Sequence, residues 1–384
     1  MTIADRIRSL TGFFRRDHIY VLLGTAALAA FSYVLTRFMP TRSSFLGAGV
    51  GVIVCQAVLG AWLAITALAL ITKLTHWETY RSTWWCQPTG RRVLRIASYV
   101  VWAVCAIVIF DRAVLSLYDI ACFAAASDKR TNVFIADIFF FAWKGRGMLL
   151  QGLGNTVIVA LIGTVVAFVL ALLLVFLRLN PPQRRDNGFV RFWKKIGLGF
   201  YSVYTTVIRG TPMMVQGSII YFGGYGIIQS ITGFGVAQMN QVWSVFVAAL
   251  VTISLNSTAY LAEVLRGAIE SIDAGQAEAA RSLGLTRWQA MMKVVFPQGV
   301  RNAIPAIGNE VVINIKDSSV FTFIGFFEVM YASRTIAGMY YGSTEVYITT
   351  AVIYLVLTLV AGALLRGIAR KLDAPASSGV PSSN

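Results

Sequence analysis

Long apolar runs are the feature that most constrains the fold of this chain. Several are long enough to cross the roughly 30 Å hydrocarbon core of a bilayer as helices. Only 13% of the residues are charged, about half the share in soluble domains. The sequence therefore predicts an all-α, polytopic membrane protein with about eight transmembrane helices. These lie at about 19–36, 46–72, 96–118, 148–177, 213–231, 242–264, 304–330 and 346–365.

The charge of the chain is strongly basic, with a formal net charge of +16. Lys and Arg concentrate in alternate connecting segments and at both ends, a bias that places these segments and both termini on the cytoplasmic side. The basic residues are thus a topology signal and a contact for membrane lipid headgroups, not a footprint for nucleic acid. The basic segments are 1–18, 73–95, 178–197, 265–302 and 366–384.

The spans fall into two groups. Residues 1–147 form a three-span amino-terminal extension, and residues 148–372 form a five-span domain that carries nearly all the recognisable motifs. The segment 178–197 between two spans is predicted to be a basic cytoplasmic loop. The tail 373–384 has the Pro- and Ser-rich composition of a disordered end.

A polar loop, 267–300, interrupts the apolar pattern of the second group. Asp273 followed by Gln276 predicts a capping box, with a helix from Ala274 to Leu283 that stops at the C-cap residue Gly284. A second capping box, Thr286 with Gln289, predicts another short helix that runs to Phe296 and ends at Pro297. The loop is thus predicted to be two short, rigid helices on the cytoplasmic face.

This loop resembles the EAA signature of the permease subunits of bacterial ABC importers. The match is carried by Glu278-Ala279-Ala280, Gly284 and Pro297, with Val294 and Phe296 replacing the usual Ile and Leu. Other segments resemble the polar amino-acid (histidine/glutamine-type) permeases. They are Gly154-Asn155-Thr156, Ile208-Arg209-Gly210-Thr211-Pro212, Ala262-Glu263-Val264-Leu265-Arg266-Gly267, Gly275-Gln276 and Ile315-Lys316-Asp317-Ser318-Ser319. The three extra spans resemble the long permeases for general L-amino acids or for glutamate, glutamine, aspartate and asparagine.

The resemblance implies the type I ABC importer transmembrane fold in the last five spans, in the bacterial inner membrane. It implies import of polar L-amino acids from periplasm to cytoplasm by alternating access. The partners would be a homologous second permease in a heterodimer, two ATPase subunits and a periplasmic amino-acid-binding protein. Either permease of such a pair can be the one that binds substrate. The residues implied to couple the chain to the ATPase are Glu278, Ala279, Ala280, Arg281 and Gly284.

The chain itself has no G-x-x-x-x-G-K-[ST] phosphate loop. It is therefore expected to be a membrane permease subunit and not an enzyme, with ATP and Mg²⁺ bound by the partner ATPase. Cys, His, Asp and Glu show no metal-ligand spacing, so no metal or other cofactor is predicted in this chain.

Ionisable side chains at membrane depth are costly and usually functional. Arg209 and Thr211 lie at a Gly-Thr-Pro helix break, where the guanidinium suits a substrate carboxylate, although Arg209 is equally well explained as an interfacial cation. Asn256 and Glu263 lie near one helical face and suit a substrate ammonium. Glu263 can instead pair with Arg266.

Two further charges, Lys316 and Asp317, are candidates for a structural charge pair that holds the helix bundle together. Because adjacent residues do not face each other on a helix, Lys316 is expected to pair with a group elsewhere.

Two other functions are compatible with the spans. An ion-gradient-driven secondary amino-acid transporter also uses broken helices and midplane charges. It gives no reason for the spaced Glu-Ala-Ala loop. A structural or regulatory membrane subunit is the third candidate.

Overall fold

The computed structural model describes residues 19–38, 40–76, 79–131, 133–184 and 186–373. Within these ranges the chain is helical and contains no β-strand, which confirms the all-α fold. The helices are α1 (Ile19–Leu35), α2 (Val50–Thr75), α3 (Pro88–Ile109), α4 (Leu115–Ala126), α5 (Phe134–Lys144), α6 (Arg146–Leu179), α7 (Gly188–Gly210), α8 (Met213–Ser218), α9 (Gly224–Thr232), α10 (Val236–Val242), α11 (Val245–Glu270), α12 (Ala274–Ser282), α13 (Arg287–Ala290), α14 (Phe296–Asp317), α15 (Val329–Tyr340) and α16 (Ser343–Asp373).

Short π-helical and 3₁₀ segments join or extend several of these helices. Three π-helical segments, 110–114, 219–223 and 291–295, link α3 to α4, α8 to α9 and α13 to α14. A 3₁₀ segment, Ser318–Ile324, continues α14. The chain divides into two compact units, and the boundary along the sequence falls within α5, between Phe140 and Phe141.

The amino-terminal unit has an apolar core between α1, α2 and α3, where Leu59 and Cys105 are fully buried. The buried carboxylate of Asp111, in the π-helical segment 110–114, holds the turn that precedes α2. Asp111 accepts hydrogen bonds from the Ser44 hydroxyl and the Phe45 amide, both at 2.8 Å. The neighbouring Arg112 donates to the Gly47 carbonyl. These buried charges therefore hold the turn in place.

The carboxy-terminal unit is built around α6, α11 and α14. A buried amide joins all three helices: Asn314 Nδ2 donates to Thr164 Oγ1 at 2.8 Å, and the Ser257 hydroxyl donates to Asn314 Oδ1 at 3.0 Å. A side chain of α11 packs directly on the α6 backbone at Gly163, where an added Cβ would lie 2.3 Å from Ile253 Cγ2. Small residues thus permit the close packing that membrane helices favour.

The polypeptide bends by 50° after α14 and its 3₁₀ extension, before α15 begins. Glu328, which is fully buried, caps α15 by accepting the Met330 and Tyr331 amides, each at 2.7 Å. The same carboxylate also accepts the hydroxyls of Thr322 and Tyr354, each at 2.6 Å. One carboxylate therefore joins the 3₁₀ segment, α15 and α16 at the bend.

The amino-terminal half of α6 packs directly on this bend. An added Cβ at Gly152 would lie only 2.7–2.9 Å from backbone atoms of Glu328 and Val329. Asn155 Nδ2 donates to the Phe327 carbonyl at 2.7 Å. The Gly-Asn segment of α6 is thus the surface against which the bend is folded.

Five helical stretches among the described residues are long and apolar enough to cross a membrane, or six if the bent pair is one span. The predicted number of eight is therefore approximate. The run 19–36 corresponds to α1, whose apolar part is shorter than a membrane span, and 213–231 is divided among α8, a π-helical segment and α9. The run 96–118 belongs to a longer continuous stretch, 88–126.

The predicted loop 178–197 is partly wrong. Residues from Gly188 onward form α7, an amphipathic helix that begins at the cap Asn187, whose side chain accepts the Phe189 amide at 2.8 Å. The basic residues of α7 concealed this helix in a search for apolar runs. Of the tail 373–384, everything after Asp373 lies outside the described residues.

Candidate functional site

The polar loop forms two short helices, as the sequence predicts. α12 ends at Ser282, and Gly284 takes the left-handed conformation at φ +87°. The Leu285 amide closes the turn on the Ala280 carbonyl at 3.2 Å. Thr286 and Gln289 form the predicted reciprocal capping box.

Two details of the loop differ from the prediction. Asp273 Oδ1 caps α12 by accepting the Gly275 amide at 2.6 Å, but Gln276 does not complete a box, and its Oε1 lies 3.5 Å from Gln298 Nε2. Pro297 does not end the second helix. The π-helical segment 291–295 leads directly into α14, and Pro297 lies in its first turn, where a missing N–H is tolerated.

The residues implied to couple the chain to an ATPase divide between two faces of the loop. Ala280 is buried and anchors α12 against the bundle. Glu278, Ala279, Arg281 and Gly284 are exposed. Leu283 is 85% exposed beside them.

A cavity of about 340 Å³ lies at the helix break between α7 and α8. Two carboxylates from α14 enter it, and its lining includes no Arg or Lys from the part of the chain that the structure describes. Glu310 is only 8% exposed, and Asp317 is half-buried. We call this the acidic cavity. Its lining residues are Thr211, Pro212, Met213, Asn256, Tyr260, Glu310, Ile313 and Asp317.

The Gln216 side chain donates hydrogen bonds to the backbone carbonyls that the break leaves without helical partners. Pro212 has no N–H, so the last carbonyls of α7 lack their helical partners. Gln216 Nε2 lies 2.7 Å from the Ile208 carbonyl and 3.0 Å from the Thr211 carbonyl. Its Oε1 accepts from Asn256 Nδ2 at 3.0 Å, which ties the break to α11.

Glu310 has no basic partner. Among the described residues, no ion pair within 4.0 Å includes it, and its polar neighbour Ser257 donates its proton to Asn314. A nearly buried carboxylate without a cation is costly. A cationic group that enters the cavity would therefore be attracted to it.

A second cavity, of about 390 Å³, lies between the ends of α6 and α7 and the side of α11. We call it the arginine cavity. Glu263 accepts from the Tyr201 hydroxyl at 2.8 Å and pairs with Arg266 at 2.9 Å, and Arg266 also pairs with Glu270. The cavity is lined by Arg178, Tyr201, Ser202, Thr205, Thr206, Arg209, Glu263 and Arg266.

The structure regroups the predicted substrate residues. Thr211 and Asn256 line the acidic cavity, whereas Arg209 and Glu263 line the arginine cavity. Arg209 Cζ lies 5.4 Å from the centroid of the Tyr260 ring. Asn256 and Glu263 are two turns apart on α11, so an axial separation of about 10 Å places them in different cavities.

The charges at the end of α14 form no ion pair here. Lys316 is exposed, and neither Lys316 nor Asp317 has an oppositely charged partner within 4.0 Å in the described part of the chain. The predicted structural pair is thus absent from this conformation. Asp317 contributes to the acidic cavity instead.

Sequence reasoning missed Glu310 and Gln216 as site residues. A signal for Glu310 was present, because its separation of seven residues from Asp317 is two helical turns and puts both carboxylates on one face. For Gln216, the signal was an amide one turn after Gly210-Thr211-Pro212, close enough to cap the carbonyls freed by the break.

Comparison with known proteins shows the family to which the chain belongs. The family described as binding-protein-dependent transport system inner membrane components matches residues 188–374. The glutamine transport system permease protein GlnP of Escherichia coli K12 is 34% identical over 230 residues, which cover 60% of this chain and 95% of the relative. The chain belongs to this family of permeases. Its membership confirms a membrane transport component as opposed to an enzyme.

Two further relatives are similar over the same share of the chain. The arginine transport system permease protein ArtQ of Bacillus subtilis is 33% identical over 58% of this chain and 92% of its own length. The nopaline transport system permease protein NocM of Agrobacterium fabrum is 33% identical over 56% of this chain and 84% of its own length. A crystal structure of an amino acid ABC transporter with histidines matches 59% of this chain and 95% of its own, with 31% identity and a TM-score of 0.49.

Proposed function

We propose that this chain is the permease subunit of an ATP-driven importer that moves polar L-amino acids from periplasm to cytoplasm by alternating access. The names of its relatives, which refer to glutamine, arginine and nopaline transport, support an amino-acid substrate. The distribution of basic residues supports a bacterial inner membrane location with both termini in the cytoplasm.

The acidic cavity is the observation that supports an amino acid as the substrate. An amino acid presents at least one ammonium group, and Glu310 with Asp317 offers it two carboxylates on one helix face. The Asn256 amide, which has a second N–H beyond the one it donates to Gln216, is the donor available for the other end of the substrate. The Thr211 hydroxyl lines the same cavity but already donates to the Val207 carbonyl at 2.9 Å. Because Arg209 lines a different cavity, we do not assign it to the substrate.

The exposed face of the polar loop supports an ATPase partner. Glu278, Arg281 and Leu283 combine two opposite charges with an exposed apolar side chain, on a helix whose ends are fixed by a cap and a left-handed glycine. We propose that this face docks on a cytoplasmic ATPase, which binds ATP and Mg²⁺. Two ATPases, a homologous permease and a periplasmic amino-acid-binding protein complete the proposed complex.

Uptake by proteoliposomes tests the proposal. The chain, co-purified with its partner subunits, is expected to accumulate radiolabelled amino acids only with the binding protein outside and ATP inside. Glu310→Gln removes the unpaired carboxylate charge, and uptake at subsaturating substrate is expected to fall about tenfold, as for the loss of one charged contact. Asp186→Asn, the same chemical change on the α6–α7 loop, is the matched control.

Two outcomes would refute the proposal. Uptake by the chain alone under a sodium or proton gradient, without nucleotide, would identify a secondary transporter. ATP-driven uptake that is equal in Glu310→Gln and the native protein would remove the acidic cavity from the substrate path.

A further inference from the structure

The arginine cavity holds more positive charge than its own carboxylate balances. Arg266 is neutralised by Glu263 and Glu270. Arg178, in the last turn of α6, and Arg209, in the last turn of α7, have no carboxylate within 4.0 Å among the described residues. Two guanidinium groups from two helices therefore enter one cavity without a counter-charge.

Hydroxyl donors accompany these guanidinium groups. Ser202, Thr206 and Arg209 lie four and three residues apart, on one face of α7. The other two hydroxyls of the cavity are already in use, since Tyr201 donates to Glu263 and Thr205 donates to the Tyr201 carbonyl at 2.9 Å. Those of Ser202 and Thr206 make no hydrogen bond to a described residue, and both are exposed.

This set of donors selects the class of ligand. A planar guanidinium fork pairs two parallel N–H groups with two oxygens of one anion. Two forks and two hydroxyls offer about six donors, more than the roughly four lone-pair sites on the two oxygens of a carboxylate. A phosphate group has four oxygens; inorganic phosphate presents all of them, and a phospholipid diester presents two free oxygens together with its two weaker ester oxygens. The volume of about 390 Å³ admits such a group with its substituents.

The Arg178 end of the cavity adjoins a segment with the composition of a membrane–water interface, because Leu177 shares a neighbouring cavity with Phe189 and Trp193. The loop after Arg178 and the start of α7 carry basic residues beside Trp193 and two phenylalanines, a composition favoured at the headgroup level. Basic pockets between transmembrane helices are known to hold anionic headgroups. We propose that the arginine cavity binds a phosphate group, of an anionic phospholipid or of a soluble phosphate, between Arg178 and Arg209.

Binding in detergent tests this site without transport. The full chain with its co-purified partners is titrated with phosphatidylglycerol, phosphatidylcholine or inorganic phosphate, and bound ligand is counted by native mass spectrometry. Phosphatidylglycerol is expected to saturate one site per chain more tightly than phosphatidylcholine. Arg178→Gln and Arg209→Gln are each expected to weaken it about tenfold. Arg334→Gln, an exposed arginine on α15, is the matched control.

A second variant separates charge from geometry. Arg178→Lys keeps the positive charge but loses the fork, so its affinity is expected to fall between those of the native protein and Arg178→Gln. This ranking also guards against a folding defect, which would not follow side-chain geometry.

The titration distinguishes a lipid ligand from a soluble phosphate. Binding of phosphatidylglycerol that depends on Arg178 and Arg209 identifies a lipid ligand. Binding of inorganic phosphate alone, with the same dependence, identifies a soluble ligand. The proposal is overturned if neither binds, if the glutamine variants bind like the native protein, or if an L-amino acid displaces the bound lipid. Because the readout is ligand occupancy, a failure of Glu310 to affect uptake would leave this result unchanged.

Discussion

Replacing Glu328 with Gln is a severe test of how the bend between α14 and α15 is held. The fully buried carboxylate accepts four hydrogen bonds, two from backbone amides and two from hydroxyls. A glutamine has one acceptor oxygen and one NH₂ group in the same space. The NH₂ group must therefore face at least one backbone N–H, whichever way the amide is turned.

The magnitude follows from these contacts. A buried donor left unsatisfied costs about 1–3 kcal/mol, and the remaining hydrogen bonds lose the strength that an ionised acceptor gives them. A hydroxyl can rotate to accept from the new NH₂ group, which limits the loss at Thr322 or Tyr354. We expect Glu328→Gln to destabilise the carboxy-terminal unit by about 3 kcal/mol.

Thermal unfolding in detergent, followed by intrinsic fluorescence, measures this effect. A loss of about 3 kcal/mol corresponds to a fall in Tm of about 6–12 °C for a unit of 150–250 residues. Glu278→Gln, the same substitution at an exposed position of α12, is expected to leave Tm unchanged. A Glu328→Gln protein that melts within 1–2 °C of the native protein (roughly the effect of half a kcal/mol) would refute the proposed role of the carboxylate.

Two glycine substitutions probe backbone geometry. Gly284→Ala adds a methyl group that meets nothing within 4 Å, so its cost of about 1–2 kcal/mol comes from the left-handed backbone alone. ATP-driven uptake by Gly284→Ala should fall while membrane insertion stays intact. Gly284→Asn should retain more uptake, because Asn tolerates the left-handed conformation better than Ala. Equal uptake by the native protein and both variants would contradict the argument. Gly152→Ala forces a Cβ against the Glu328 backbone; overpacking of this kind costs about 1–3 kcal/mol of unfolding free energy, and Tm should fall accordingly. Gly154→Ala, which has open space around its Cβ, should not lower Tm; equal Tm values for the two alanine variants would count against close packing at the bend.

Much of the fold could be predicted because hydropathy measures what a membrane helix needs. α6, α11 and α16 are long and apolar, and they lie where the sequence places them. Hydropathy does not reveal α7, because its apolar residues alternate along the sequence with Arg191, Lys194 and Lys195. These basic residues lower the mean hydropathy of any window that contains them. Its amphipathic period was the better signal.

The candidate site was harder to predict because a cavity depends on which helices meet. Local rules were sufficient for Gly284 and for the Thr286 capping box, since both depend only on neighbouring residues. They failed at Pro297, where a π-helical segment absorbs the change that a proline usually causes. They also could not assign Arg209, whose environment is set by α6 and α11, distant in sequence.

α11 connects the two cavities to the loop proposed to bind the ATPase. Asn256 lines the acidic cavity, Glu263 lines the arginine cavity, and Glu270 is the last residue of the helix before α12. At 1.5 Å per residue, Asn256 and Glu270 are about 21 Å apart along one unbroken helix. Near the carboxy-terminal end of α11, Ile269 lies against Gly299 of α14. The contact is so close that a Cβ added at Gly299 would be 2.5 Å from Ile269 Cγ1. In the proposed importer, we therefore expect a push on α12 to be passed along this unbroken helix, so that α11 turns about the contact with Gly299 and moves the walls of both cavities together.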